Sequence, residues 1–428
     1  MALYERSLRP CLARLSLGMS AATSPDGAPV AVLVAARDEE ARIEATVAAL
    51  HKAFPGAEII VADDGSRDLT AARAERAGSR VLRLPRRGKG QALSLAERAV
   101  PPGALLLCDA DLTGDLRPLT SAAADLAVAA FAERTGGGFG LAKRAGRLLV
   151  RLLSGFRPRE PLSGQRALSP AARAACFPLA AGFGCEVRST IDAVRAGLTV
   201  AEVELPLAHR STGRDLRGFV HRGRQLADAL LACGPLAVNH RGLRLPVVGW
   251  AVGVCRDPAV AAAAAAGLAD DLWSGPERGL VAHLRARRTT GVLKLVVLPL
   301  AGLARTRSVS GAVLFALCAN LVNQLDTKPG RALKAYLAAA SLVRAPKRLA
   351  VCLLPYDLRE MVMLGDAGSN ALGALLGLKS VSLLTGRGRA AAIGVLAGLT
   401  LLGETRSLGE TIERTALLRK LDRLGTQP

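Results

Sequence analysis

ALLLCDAD, residues 104–111, is the stretch that decides the reading of this chain. An unbroken apolar run reads as a strand buried on both faces, and two aspartates close it before a loop. Strand alternation places Asp109 and Asp111 on the same side of the chain, at the carboxyl edge of a sheet, where α/β folds bind ligands. Two carboxylates there can share one divalent metal, which would neutralise a diphosphate leaving group. Spacing alone equally allows a pair of loop carboxylates capping the next helix.

The flanking sequence builds the sheet around that strand. VAVLVAA (30–36) reads as a first strand, and RDEEARIEATVAALHKAF as a helix with Asp38, Glu39 and Glu40 in its positive first turn. EIIVADDGS (58–66) is a second strand ending in a turn, DLTAARAERAGS a helix closed by Gly78, VLRLP a third strand and KGQALSLAERAV another helix. This alternation continues to about His209 and predicts a βα-layered sheet. In RRGKG, Gly88 and Gly90 would let a diphosphate approach the backbone, and Lys89 supplies a point charge; a solvated basic turn is the bland alternative.

With 428 residues the chain is long enough for about two domains. Residues 1–28 are expected to be a disordered leader, 29–240 the α/β domain and 241–428 a mostly α-helical, membrane-associated domain. Half the residues are hydrophobic but only 3% are aromatic. The net charge of +21, mostly arginine spread along the chain, suits phosphate-bearing substrates or an anionic membrane face. Nucleic acid is not expected as a partner, because no stacking aromatics lie between the basic residues. The eight cysteines (Cys11, Cys108, Cys176, Cys185, Cys233, Cys255, Cys318 and Cys352) form no CxxC pair and read as small buried residues in a reducing compartment. Beyond residue 240 the candidate membrane helices are 243–254, 259–269, 292–304, 312–322, 349–354, 371–384 and 390–402. All fall short of the roughly 18 to 20 apolar residues a span requires.

The order LVAARDEEARI, IIVADDGSRDLT, RRGKGQA, LLLCDADLTGD resembles the family-2 glycosyltransferases of GT-A fold, the group of the dolichyl-phosphate mannose and glucosyl-3-phosphoglycerate synthases. The resemblance covers about residues 29–215 and implies a Rossmann-like, nucleotide-sugar-binding domain that uses Mg²⁺ or Mn²⁺. It places Ala35, Arg37 and Glu39 around the base and ribose, with Asp63 or Asp64 also holding them. Lys89 goes to the diphosphate, and Asp109 and Asp111 to the metal. REPLSGQRAL (159–168) resembles the acceptor-side segment, whose Ser-Gly-x-Arg turn lies beside the sugar. GFGCE (182–186) makes Glu186 the candidate base, against the alternative of an ordinary first-turn carboxylate. Some relatives use a histidine at the place of His209 as a third metal ligand, and Arg210 and Arg214 would clamp the diphosphate.

In the second half, ADDLWSGPERGLVAHL (269–284), TTGVLKL, NLVNQLD (320–326) and MLGDAGSNALGALLG (363–377) resemble the membrane enzymes that transfer an N-acetylhexosamine phosphate to a polyprenyl phosphate. That resemblance assigns Asp270, Asp271, Asp326 and Asp366 to magnesium and phosphate. Asn323, Gln324 and Thr327 depart from the family's Asp- and Gly-rich pattern, so this half is expected to be shortened and catalytically decayed. The expected activity is metal-dependent transfer of a sugar from a nucleoside-diphosphate sugar to a lipid-phosphate acceptor, such as a polyprenyl phosphate, or to a small hydroxyl. The catalytic domain is expected in the cytoplasm, on a membrane. The alternatives are phosphoglycosyl transfer by the C-terminal half, or a non-catalytic membrane protein that binds a nucleotide sugar.

Overall fold

The structure, a computed structural model, describes residues 31–111, 114–131, 141–206, 216–254, 257–273 and 290–426. The leader at 1–28, with Cys11, lies outside them, as do Cys255, His209, Arg210 and Arg214. The described residues divide into two compact units. One comprises 31–234 with 242–244, and the other 235–241 with 245–426.

The first unit runs β1 (Ala31–Ala36), α1 (Ile43–Ala53), β2 (Glu58–Asp63), α2 (Thr70–Arg76), β3 (Arg80–Arg83), α3 (Lys89–Glu97), β4 (Leu105–Asp109), α4 (Arg117–Thr120), β5 (Leu126–Phe131), α5 (Leu141–Ser154), β6 (Arg166–Leu168), α6 (Pro170–Cys176), α7 (Gly184–Arg195), β7 (Val200–Leu205) and α8 (Leu216–Cys233). The strands form one seven-stranded sheet in the order β3-β2-β1-β4-β6-β5-β7. All pairs are parallel except those of β6, which runs antiparallel to β4 and β5. The result is a Rossmann-like mixed sheet of GT-A type.

Period-two alternation explains why the central strands are apolar throughout. Val32, Val34, Ile59, Val61 and Leu106 point to one face, against Ile43, Val47 and Leu50 of α1. Ala31, Leu33, Ile60, Ala62, Leu105 and Leu107 point to the other, against Ala92, Leu93 and Ala96 of α3. Strand order reverses between β1 and β4, so their carboxyl ends, registered Ala35 opposite Asp109, border the crevice that such a reversal opens.

Two local expectations are corrected. The first helix begins at Ile43, with only Glu44 in its first turn, and Asp38, Glu39 and Glu40 precede it in a loop. There Asp38 Oδ1 accepts from the Arg67 backbone at 2.9 Å and Glu40 Oε2 from that of Leu69 at 3.0 Å, so these carboxylates join two loops instead of stabilising a helix end. The fourth strand ends at Asp109, and Asp111 sits in the following turn. Strand alternation therefore does not fix the relation of the two aspartates.

The second unit is helical: α9 (Trp250–Val254), α10 (Pro258–Trp273), α11 (Thr290–Thr306), α12 (Val309–Leu325), α13 (Arg331–Val343), α14 (Arg348–Asp357), α15 (Gly365–Leu383), α16 (Gly386–Thr405), α17 (Leu408–Arg414) and α18 (Ala416–Asp422). Its core gathers Leu314 and Phe315 of α12, Leu333 and Tyr336 of α13 and Leu372 of α15. Of the candidate stretch 243–254 only the last residues are helical. Among the described residues no single helix is long and apolar enough to cross a membrane. The pair Gly386–Thr405 and Leu408–Arg414, bent by 90°, meets the criterion together. The cysteine reading is corrected at Cys352, which is exposed, and at Cys233, which is partly so.

Candidate active site

The carboxyl ends of β1, β2 and β4 bring the predicted residues of the first unit to one edge. Asp109 closes β4, and its Oδ1 lies 2.5 Å from Lys89 Nζ. The same ammonium lies 2.7 Å from Glu186 Oε1, in the first turn of α7. Lys89 thus joins the end of a strand to the start of a helix distant in sequence. Burial works against its charge, but Asp109 and Glu186 outweigh burial and hold its pKa well above that of an ordinary lysine. Glu186 is 4% exposed, and its second oxygen accepts from Cys185 Sγ at 3.2 Å.

The loop that delivers Lys89 is built by Asp64. Its carboxylate accepts the Arg87 backbone N–H at 2.6 Å and that of Gly88 at 2.9 Å. Burial raises the Asp64 pKa against the pull of those hydrogen bonds. Gly88 has φ 104°, a left-handed conformation that favours glycine, and leads directly into α3. Gly90 serves a different purpose from the one expected: a Cβ there would overlap the Ala180 carbonyl, so the close approach is by the protein's own backbone. Asp63 is also committed locally, to the Ser66 backbone at 3.0 Å and to the Ser66 hydroxyl.

The other predicted donor-side residues sit where expected in the chain but differ in exposure. Ala35 is half-buried on β1. Arg37 pairs loosely with Asp38 at 3.6 Å, and Glu39 accepts from Arg42 Nη1 at 2.8 Å. Asp111 is half-buried in its turn. Among the described residues no group of three or more His, Cys, Asp or Glu converges as a metal site. Asp109 Oδ2, reached at 3.5 Å by Gln165 Nε2, and the half-buried Asp111 carboxylate are two hard oxygen donors of the type that suits a divalent cation whose other ligands are substrate oxygens.

Three residues of the Ser-Gly-x-Arg turn, which the sequence reading placed beside the sugar, contribute individually. Gly164 lies so close to the pair that a Cβ would overlap both Asp109 Oδ2 and Lys89 Nζ. Gln165 Nε2 reaches Asp109 Oδ2 at 3.5 Å. Arg166 is 2% exposed and braces the turn from behind. It donates to the Ser163 carbonyl at 2.8 Å, to Ser189 Oγ at 3.1 Å and to Thr190 Oγ1 at 2.9 Å, the last two on α7. The Ser-Gly-x-Arg spelling marked the turn; nothing in it showed that the arginine points inward.

The second unit contains its own lysine–carboxylate group. Lys294 Nζ on α11 stands 2.6 Å from Asp270 Oδ2 and 2.7 Å from Asp366 Oδ2. Asp271 spends one oxygen on the Asp366 backbone N–H at 2.8 Å and the other on that of Ala367 at 2.9 Å, capping α15. Asp326 ends α12. Gln324 donates to Glu404 at 3.1 Å. Asp326 lies within electrostatic reach of Asp357, Asp366 and Asp271, so the four aspartates named by resemblance gather in one region of this unit. An ammonium occupies the convergence of Asp270 and Asp366, and Asp271 has no oxygen left over.

With this geometry in place, comparison with known proteins decides the family of the first unit. The family model Glycosyl transferase family 2 matches residues 31–134. The chain is 32% identical to the glucosyl-3-phosphoglycerate synthase of Mycobacterium tuberculosis (strain ATCC 25618 / H37Rv), over 49% of this chain and 74% of that protein. The chain belongs to glycosyl transferase family 2. It is a glycosyltransferase. The enzyme of Mycobacterium bovis (strain ATCC BAA-935 / AF2122/97) matches to the same extent. Among solved structures, that of the Mycobacterium tuberculosis synthase with Mn²⁺, uridine diphosphate and glucosyl-3-phosphoglycerate is 30% identical at a TM-score of 0.41, covering 48% of this chain and 80% of that one. The same enzyme with Mg²⁺ and uridine diphosphate is 28% identical at 0.41, covering 48% and 79%. The family match and these relatives leave the helical unit largely unmatched.

Proposed function

We propose that this glycosyltransferase uses Mg²⁺ or Mn²⁺ to move a sugar from a nucleoside-diphosphate sugar to a lipid-phosphate or small hydroxyl acceptor. The observation that carries this reading is Asp109 at the end of β4 with Lys89 against it, in the crevice where strand order reverses. Asp109 and Asp111 would hold the metal, which supplies Lewis-acid neutralisation of the leaving diphosphate. Lys89, free to exchange a carboxylate for a phosphate oxygen, places a positive charge beside that leaving group. Arg166 and Gly164 keep the turn pressed onto the pair. Glu186 faces the same space and is the candidate for taking the acceptor's proton as its oxygen bonds to the anomeric carbon and the bond to the diphosphate breaks.

The names of the relatives make a glucose donor and 3-phosphoglycerate the first pair to try. A membrane location is supported by the helical unit; a lipid-phosphate acceptor and a cytoplasmic catalytic unit are the extensions of that reading we propose. On α11, Leu293, Val296, Leu300 and Leu303 recur at helical spacing on one face and are 44%, 51%, 60% and 42% exposed. That is the reverse of a water-facing helix. Helix α16 buries no residue at all.

The test is transfer by the full chain with Mn²⁺, using UDP-, GDP- and ADP-glucose with 3-phosphoglycerate or a short polyprenyl phosphate. One donor is expected to be consumed, with a loss of about 10²- to 10³-fold in the Asp109→Asn, Asp111→Asn variant. Undiminished turnover by that variant would refute the reading. Nucleotide binding with no transfer to any acceptor would instead favour a non-catalytic binding protein.

A further inference from the structure

Helix α5 carries a surface that the transfer chemistry does not use. Its inner face, with Val150 fully buried and Leu149 and Leu153 partly so, packs with Val187 and Ile191 of α7 and Ala229 of α8. Its outer face presents Arg144, Arg147, Leu148, Arg151 and Leu152, all exposed and at spacings of three and four. Leu148 is 55% exposed and Leu152 70%, so two leucines stand in solvent between three guanidinium groups. Arg147 reaches back to the Arg159 carbonyl, at 2.6 Å from Nη2. Lys143, on the flank, is ion-paired to Glu160. The guanidinium groups of Arg144 and Arg151 have no hydrogen-bond or ion-pair partner among the described residues.

From this face we infer that α5 is an interfacial helix by which the catalytic unit itself lies on an anionic lipid surface. The occupant follows from chemistry. Leucines flanked by arginines with long apolar stems match an interface that offers hydrocarbon below and negative head groups above. An acidic protein surface would satisfy the arginines and leave the leucines without a reason. The helix is also placed to matter for transfer. At Gly146 it approaches Pro161, two residues before Ser163, and Val187, next to Glu186; a Cβ at Gly146 would meet the Pro161 ring at 3.2 Å and Val187 Cγ2 at 3.6 Å. Docking through α5 would therefore hold the acceptor side of the site one helix away from the lipid. The inference extends the membrane reading above but concerns a different part of the chain, so either can fail alone.

The test reads α5 directly in the full-length protein, so that any attachment by the helical unit does not mask it. An environment-sensitive dye is placed at Leu152→Cys in a background with Cys11, Cys233, Cys255 and Cys352 changed to serine, with Leu69→Cys, another exposed leucine of the same unit, as control. Vesicles of phosphatidylglycerol and phosphatidylcholine are compared with phosphatidylcholine alone. The expected result is a blue shift at position 152 on the anionic vesicles only. It should be absent at position 69, reduced by salt and lost in Arg144→Glu, Arg151→Glu. If the protein floats with the anionic vesicles while position 152 stays in water, the inference is overturned and attachment belongs to another part of the chain. A shift that follows protein concentration without lipid would overturn it in favour of a second copy.

Discussion

An ammonium stands between two carboxylates in each unit, yet the two groups are built for different ends. Lys89 holds Asp109 and Glu186, Gln165 reaches the other oxygen of Asp109 at 3.5 Å, and Asp111 stands beside them, half-buried in the turn after β4. Lys294 holds Asp270 and Asp366, and beside them Asp271 has both oxygens bound by backbone N–H groups. The difference is the spare donor. A carboxylate with an unspent oxygen can recruit a cation or a substrate, whereas one already saturated by protein groups fixes the protein's own helices. Charge composition alone does not separate a site from a brace; the count of uncommitted oxygens does.

The contrast is broken most forcefully at Lys294. Replacing it with methionine leaves Asp270 and Asp366 facing each other without compensation, which should cost about 3–5 kcal/mol. Hydrogen exchange should show lost protection in α10, α11 and α15, while sugar transfer by folded protein persists. Unchanged protection would show that the group is not a brace. At Lys89 the same substitution leaves Asp109 and Glu186 uncompensated, so it should loosen the first unit and also lower kcat/KM by about 10²- to 10³-fold (about 2.7–4 kcal/mol) while protection of the second unit is kept. Equal loss from Lys89→Arg would point to shape as much as charge, because the longer fork does not fit between Asp109 and Glu186.

Gly164→Ala should displace the Asp109–Lys89 pair at a cost of about 1–3 kcal/mol, read as a fall in kcat with less change in denaturation midpoint. A parental kcat would mean that the turn yields freely. The smallest effect is expected at Asp64→Asn. The amide keeps an acceptor for the Arg87 and Gly88 backbone but loses charge-assisted hydrogen bonds, a change of about 1 kcal/mol or less, visible in the KM for donor. Chelation of divalent cations should stop transfer and leave α15 protection as it was.

The first unit was legible because its signals are local. A strand buried on both faces must be apolar along its length, so VAVLVAA, EIIVADDGS and ALLLCDAD announced a parallel sheet, and glycine at 78 and 88 marked turns where φ is positive. Asp109, Lys89 and Glu186 were nameable because each stands in a motif of its own segment. Less could be read where a side chain's partner lies far along the chain. Asp38 and Glu40 looked like helix-end carboxylates because the sequence does not say that α1 starts only at Ile43. Arg166 was legible only as the last letter of a turn beside the sugar; that it points inward depends on Ser189 and Thr190, more than twenty residues on, which supply its hydrogen bonds.

The same division holds in the helical unit. Its aspartates were conspicuous in the sequence, but Lys294 was only one letter in TTGVLKL, and its position between Asp270 and Asp366 reversed the reading of both. The sequence by itself determined the first four strands, the helices between them and the chemical types at the carboxyl edge, because backbone periodicity and turn chemistry act over a few residues. Tertiary structure alone decided which charges meet and which oxygens stay uncommitted, because those depend on groups that only folding brings within hydrogen-bond distance.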